Sequence, residues 1–117
     1  MMIEGKVPIY PTEDPDRIVQ CIMNIFPLSD IVRGEDEIVF SSPSAQQLVI
    51  LLEEQRIRDT AAMVFRRAMM EDATSFFLNK QAAFVGKVNF TEGRSSLGDI
   101  RVDVLKGASE LIRDLAL

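Results

Sequence analysis

The chain has 117 residues, 47% of them hydrophobic and 26% charged, which is the size and balance of one folded domain spanning 1–117. Its formal net charge of −5 argues against a nonspecific nucleic-acid binder, because such affinity comes from neutralising phosphates. There is no histidine and only one cysteine, which excludes Ser-His-Asp and Cys-His nucleophiles, an intrachain disulfide and a zinc site of ordinary composition.

Residues 2–10 alternate, with Ile3, Val7 and Ile9 on one side and Glu4 and Lys6 on the other, so they predict a strand. Pro8 places that strand at a sheet edge, or marks an unpaired position near its end. Asp14-Pro15 opens a helix with a capping carboxylate and a proline in the first turn. Ile18, Ile22, Ile25 and Phe26 form its apolar stripe, and Pro27 ends it. Cys21 lies inside this pattern and is expected to be a buried, inert thiol. Residues 34–37 predict a loop whose run of three acids, Glu35-Asp36-Glu37, needs no metal to explain it. A short strand follows at 38–41. Ser42-Pro43 repeats the cap-plus-proline signal and opens a helical pattern with Leu48, Leu51 and Leu52 inward. Ile57, Ala61, Val64, Phe65 and Ala68 continue it, and Asp59 as a second cap favours two helices over one.

The most informative stretch is 76–104. Strands are predicted at 75–79, at 83–90 with Phe84, Gly86, Val88 and Phe90 on one side, and at 97–104 with Ile100, Val102 and Val104 inward. Lys106-Gly107 breaks the last strand, and 108–115 forms a final amphipathic helix through Leu111, Ile112 and Leu115. The predicted order is β-α-β-α-α-β-β-β-α. Three late strands with short loops pair antiparallel, and helices over one face of that sheet make an α+β two-layer sandwich with the other face open. Gly93-Arg94-Ser95-Ser96-Leu97-Gly98 begins like a phosphate-binding loop, but Asp99 stands where lysine is required and a strand follows, so both glycines are turn residues. The longest apolar runs have five residues, too short to span a bilayer. The N-terminus enters a charged strand rather than a leader, so a cytoplasmic location is expected.

Charge is uneven along the chain. Residues 1–54 hold 3 basic and 10 acidic side chains, a net of −7, and residues 55–117 hold 10 and 8, a net of +2. The basic tilt coincides with the polar residues of the late strands and their loops. Asn79, Lys80, Gln81, Lys87, Arg94 and Arg101 are the candidate RNA contacts, being residue types that reach phosphates and base edges. Phe84 and Phe90 face inward by parity, which leaves Phe77 and Tyr10 as the aromatics that could face out. The sheet is therefore a poor stacking platform, and backbone and shape recognition is the expected mode. The competing reading is a protein-interaction or self-association module, because an acidic and a basic half suit complementary docking and a free sheet edge offers pairing. No catalytic residue, metal or cofactor is assigned.

The run Leu78-Asn79-Lys80-Gln81-Ala82-Ala83, then Gly86 and Val88, then Leu97-Gly98-Asp99-Ile100-Arg101-Val102, resembles an uncharacterised archaeal protein family. Ser42-Pro43 and Asp59-Thr60-Ala61 also fit, and the resemblance covers nearly the whole chain. It implies a single α+β domain related to large-subunit ribosomal protein five, in a family grouped with RNA-binding and exosome-associated proteins. On that footing the expected function is RNA binding without catalysis. The implied partners are structured RNA or an RNA-processing protein complex, with no membrane, and a homodimer is left open.

Overall fold

The computed structural model describes residues 1–93 and 98–116. Among these described residues, six strands form one sheet in the order β2-β3-β1-β6-β4-β5. They are β1 (Met2–Pro8), β2 (Asp30–Arg33), β3 (Glu37–Ser42), β4 (Thr74–Leu78), β5 (Phe90–Thr91) and β6 (Ile100–Lys106), and every pairing is antiparallel. The helices α1 (Pro15–Ile25), α2 (Gln46–Glu54), α3 (Arg58–Arg67), α4 (Lys80–Phe84) and α5 (Ala108–Leu115) complete the α+β sandwich among the described residues.

The period-two pattern does what it predicts. Ile3, Val7, Ile38, Phe40, Phe76, Leu78, Ile100, Val102 and Val104 are buried on one side of the sheet. Ile18, Ile22, Leu48, Leu52, Phe65 and Leu111 close over them from the helices, each contributing about 1.5–3 kcal/mol by leaving water. Gly5 is required at its position. A Cβ there would lie 2.2 Å from the Phe40 ring, which stacks on Phe26 at 5.6 Å.

Several elements depart from the sequence expectation. β1 is central rather than at an edge, and Pro8 occupies its last rung, opposite Glu37, so the second of its two readings holds. The strand β2 arises in a segment read without one, and it forms a hairpin with β3. Helix α2 starts at Gln46 instead of Pro43 because Ser42 completes β3, where its hydroxyl donates to Ser44 O at 2.9 Å. Two helices do fill 46–67, but Asp59 lies in the first turn of α3, whose N-cap is Ile57.

The largest correction concerns 83–90, which is not a strand. Asn79 Oδ1 accepts the Ala82 N–H at 2.9 Å and starts the one-turn helix α4. Gly86 ends it in the left-handed region at φ 75°. Only Phe90–Thr91 remains to pair with β4, at Leu78 and Phe77. Alternation at 84, 86, 88 and 90 was outweighed by a good cap and two alanines, the best helix formers. Leu97, the expected start of the last strand, lies outside the described residues.

Candidate functional site

Helix α1 and helix α4 pack side by side and enclose a cleft of about 480 Å³. Its inner wall is a charged staple. Lys80 is only 7% exposed, and its ammonium donates to both Glu13 carboxylate oxygens at 3.0 and 3.2 Å and to Pro8 O at 2.8 Å. Glu13 also accepts the Tyr10 N–H at 2.9 Å. This staple ties the turn after β1 to the start of α4. Cys21 lies beneath, its thiol donating to Lys80 O at 3.3 Å. Burial pushes the Cys21 pKa up, against the opposing pull of the Lys80 charge. The outer wall is different in kind. The Arg17 guanidinium lies 4.2 Å from the centroid of the Phe84 ring, and Gln81 is exposed beside it at the rim.

Beyond α4 the chain turns through Val85, 68% exposed, to Lys87, which is also exposed. Backbone bonds from Lys87 N–H to Ala82 O and from Asn79 N–H to Asn89 O, each at 2.9 Å, hold this turn together with one side chain. The Gln55 amide donates to Val88 O at 2.9 Å and accepts the Val88 N–H at 2.7 Å, as a strand neighbour would. Gln55 sits at the C-terminus of α2, directly before Arg56 and close to Arg58. The clamp therefore brings the basic end of α2 and α3 next to Lys87 and Asn89. No salt bridge to Arg56, Arg58 or Lys87 occurs among the described residues. Arg17, Val85, Lys87 and Arg56 are exposed at this end of the helical layer, with Phe84 half-buried among them.

The open face of the sheet has another character. The strand register aligns Val32, Val39, Lys6, Arg101, Phe77 and Thr91 in one cross-sheet row. The adjacent row is Asp30, Ser41, Glu4, Asp103 and Ser75. Two cations thus sit beside three acids, and Arg101 is joined to Asp103 at 3.2 Å. Met2, Val32, Val39 and Leu105 add exposed apolar surface there.

The six candidate contacts are consequently dispersed. Gln81 and Lys87 are exposed at the α4 end. Asn79 is half-buried with its carbonyl oxygen occupied as the α4 cap. Lys80 is held inside the staple, its charge paired with Glu13. Lys87, expected on the open sheet, lies on the turn after α4 instead, and Arg101 is on the sheet among acids. Arg94 lies outside the described residues. Sequence reasoning missed Arg17, Arg56 and Arg58. The i, i+4 step from Arg17 to Cys21 put Arg17 near the buried thiol, but its partner Phe84 had been assigned to a strand. Among the described residues, no cluster of His, Cys, Asp or Glu could hold a metal, and no helix is long and apolar enough to cross a membrane.

Comparison with known proteins agrees with this architecture. A family model described as RNA binding matches residues 2–104. A UPF0201 protein of Methanocaldococcus jannaschii is 38% identical, covering 95% of this chain and 69% of that one. A UPF0200/UPF0201 protein of Archaeoglobus fulgidus is 35% identical over 86% of this chain, which corresponds to 31% of that longer protein. The crystal structure of a UPF0201 protein from Methanococcus jannaschii superposes with a TM-score of 0.91 at 35% identity and covers 100% of both chains. The relation of fold to large-subunit ribosomal protein five, implied by the family resemblance, is not shown by these matches.

Proposed function

We propose that this chain, which belongs to the archaeal RNA-binding family of the UPF0201 proteins, binds structured RNA along the strip from Arg17 to Arg56 and performs no reaction of its own. The observation that carries the reading is the Gln55 clamp, which gathers Arg56, Arg58 and Lys87 at one end of an otherwise acidic molecule. Phosphate contacts need accessible cations; Arg56 and Lys87 are exposed and Arg58 half-buried, and the three carry no salt bridge among the described residues. Phe84 is the one aromatic ring named on this surface, so backbone and shape recognition of folded RNA suits it better than a single strand stacked along its length. On this reading the setting is the cytoplasm. Of the six sequence candidates, Gln81 and Lys87 stay as contacts, while Asn79 and Lys80 become positioning residues.

A mobility-shift titration with structured RNA at low salt tests this. Binding should weaken steeply with salt, and Lys87→Ala combined with Arg58→Ala should lower the logarithmic salt slope by about 1–2. No shift at tens of micromolar protein, or a shift indifferent to both substitutions, would overturn it.

A second reading is favoured by one observation. In Archaeoglobus the related segment is part of a longer chain that carries two family names. A module joined covalently to another domain in one species can dock on a separate protein in the next. The open sheet face would then be the docking surface, for that partner or for a second copy in a homodimer. Light scattering and co-elution decide between them, since a monomer that binds RNA and nothing else removes this reading.

A further inference from the structure

We propose that the cleft between α1 and α4 is a pocket for one unpaired nucleobase bearing an exocyclic amino group. This inference rests on the RNA reading and assigns that surface a base-specific subsite.

The volume of about 480 Å³ lies within the roughly 300–1,000 Å³ of small-molecule sites and leaves ample room for a single base. The outer wall is preorganised for a planar ring. The Arg17 guanidinium carbon lies over the Phe84 ring, 4.2 Å from its centroid. That contact holds an exposed guanidinium at the cleft wall, where a ligand ring can meet it. Bases extruded from folded RNA stack on arginine planes in this way. Ile18 and Cys21 supply an apolar floor, and the raised pKa of the thiol keeps it neutral.

The polar groups decide what the ring must carry. The lining holds two cations, Arg17 and Lys80, and two carboxylates, Glu13 and Asp14. Lys80 and Glu13 neutralise each other at 3.0 Å. The cleft therefore has no surplus positive charge for a phosphate, and a neutral heterocycle suits it better than an anion. Asp14 Oδ1 accepts the Asp16 N–H at 3.0 Å, while Oδ2 has no partner among the described residues. That oxygen accepts from an amino group, as on adenine, cytosine or guanine, and not from uracil O4. Gln81 and Thr12 at the rim offer both a donor and an acceptor for the remaining base edge. Phosphates flanking an inserted base would fall outside the cleft, toward Lys87 and Arg56.

The probe is 2-aminopurine, placed in the loop of an RNA hairpin and, separately, supplied as the free ribonucleoside monophosphate. Its emission falls when it stacks. Anisotropy of a distant dye on the hairpin reports RNA binding independently. The expected result is a loop-base emission change on binding that Arg17→Gln and Asp14→Ala each reduce by roughly fivefold or more. Lys87→Ala should instead weaken overall affinity and leave the emission of bound RNA unchanged. Arg17 is exposed, so its variant should fold, and an unchanged melting temperature confirms that. If anisotropy reports binding while emission is the same for wild type and Arg17→Gln, the pocket is disproved and the RNA reading stands. If RNA does not bind but the free nucleotide is quenched in an Arg17-dependent manner, the pocket stands as a nucleotide site and the RNA reading falls. If neither probe responds, both fall.

Discussion

Arg56 occupies a position that chemistry reserves for glycine. It follows α2 with φ at 58°. Its N–H donates to Glu53 O and the next N–H, of Ile57, donates to Leu52 O, at 3.1 and 3.0 Å. These two bonds are the Schellman closure of a helix, whose left-handed residue costs an L-amino acid about 1 kcal/mol. A cation held in this conformation stands clear of its helix, beside Lys87. Arg56→Gly should therefore stabilise the protein by about 0.5–1 kcal/mol in urea denaturation and at the same time weaken RNA binding. Opposite signs from one substitution would mark a residue kept for contact and not for folding. Equal affinity would remove Arg56 from the interface. Lys80 makes the converse case. Lys80→Ala leaves the Glu13 carboxylate and Pro8 O without their partner in a buried setting, and should cost about 3–5 kcal/mol of stability. A loss of RNA binding in that variant would report unfolding, which is why Lys87 is the better test of contact.

At the scale of elements, the same distinction between local signal and distant partner explains what the sequence could and could not tell. The strands β1, β3, β4 and β6 and the helices α1 and α5 were legible because their burial follows a period that the chain itself displays. Asp14 capping α1 and Gly107 preceding α5 were likewise local. The turn at 85–89 was not legible, because the backbone partner of Val88 at its centre is a side chain 33 residues away. Val88 reads as the middle of an alternating strand and is buried like one, yet its ladder consists of one glutamine amide. Gln55→Ala removes both bonds at once and leaves a buried N–H and C=O unpaired. Stability should fall by about 1–3 kcal/mol, with amide exchange at Val88 accelerating more than at α1. Helix α5 depends on a similar remote partner. The Asp72 carboxylate accepts the Gly107 and Ser109 N–H groups, each at 2.9 Å. These bonds, Ser109 first, hold its pKa below the ordinary carboxylate range. A folded-state value below the unfolded one means stabilisation that is full at neutral pH and disappears as pH falls through the folded value. The melting temperature of Asp72→Ala should thus lie below wild type at pH 7 and converge with it in strong acid. A gap that persists in acid would assign the effect to packing.

The whole molecule divides its charge by face, and that division sets where a polyanion can approach. Along the chain the split looked like an acidic first half and a basic second half. Folding interleaves the halves, because β1 from the first pairs with β6 from the second. Lys6 and Arg101 meet as cross-strand neighbours, but Glu4 and Asp103 occupy the next rung and Asp30 extends it. A phosphate placed over Arg101 would sit within a few ångströms of these acids, well inside the Debye length of about 8 Å at physiological salt. The attraction of two cations is cancelled there by three carboxylates. At the α4 end, Lys87, Arg56 and Arg58 stand in no strand row, and the exposed neighbours Glu53, Glu54 and Asp59 form no salt bridge with them among the described residues. The two surfaces therefore make opposite predictions for one measurement. Lys6→Ala with Arg101→Ala removes two charges from the open sheet and should leave RNA affinity and its salt slope unchanged within error. Lys87→Ala with Arg58→Ala removes the same formal charge and should lower both. A purely global effect of net charge would make the pairs equivalent, and a stronger loss from the sheet pair would move the interface to the open face. Because both variants carry a net charge of −7, any difference between them measures position alone.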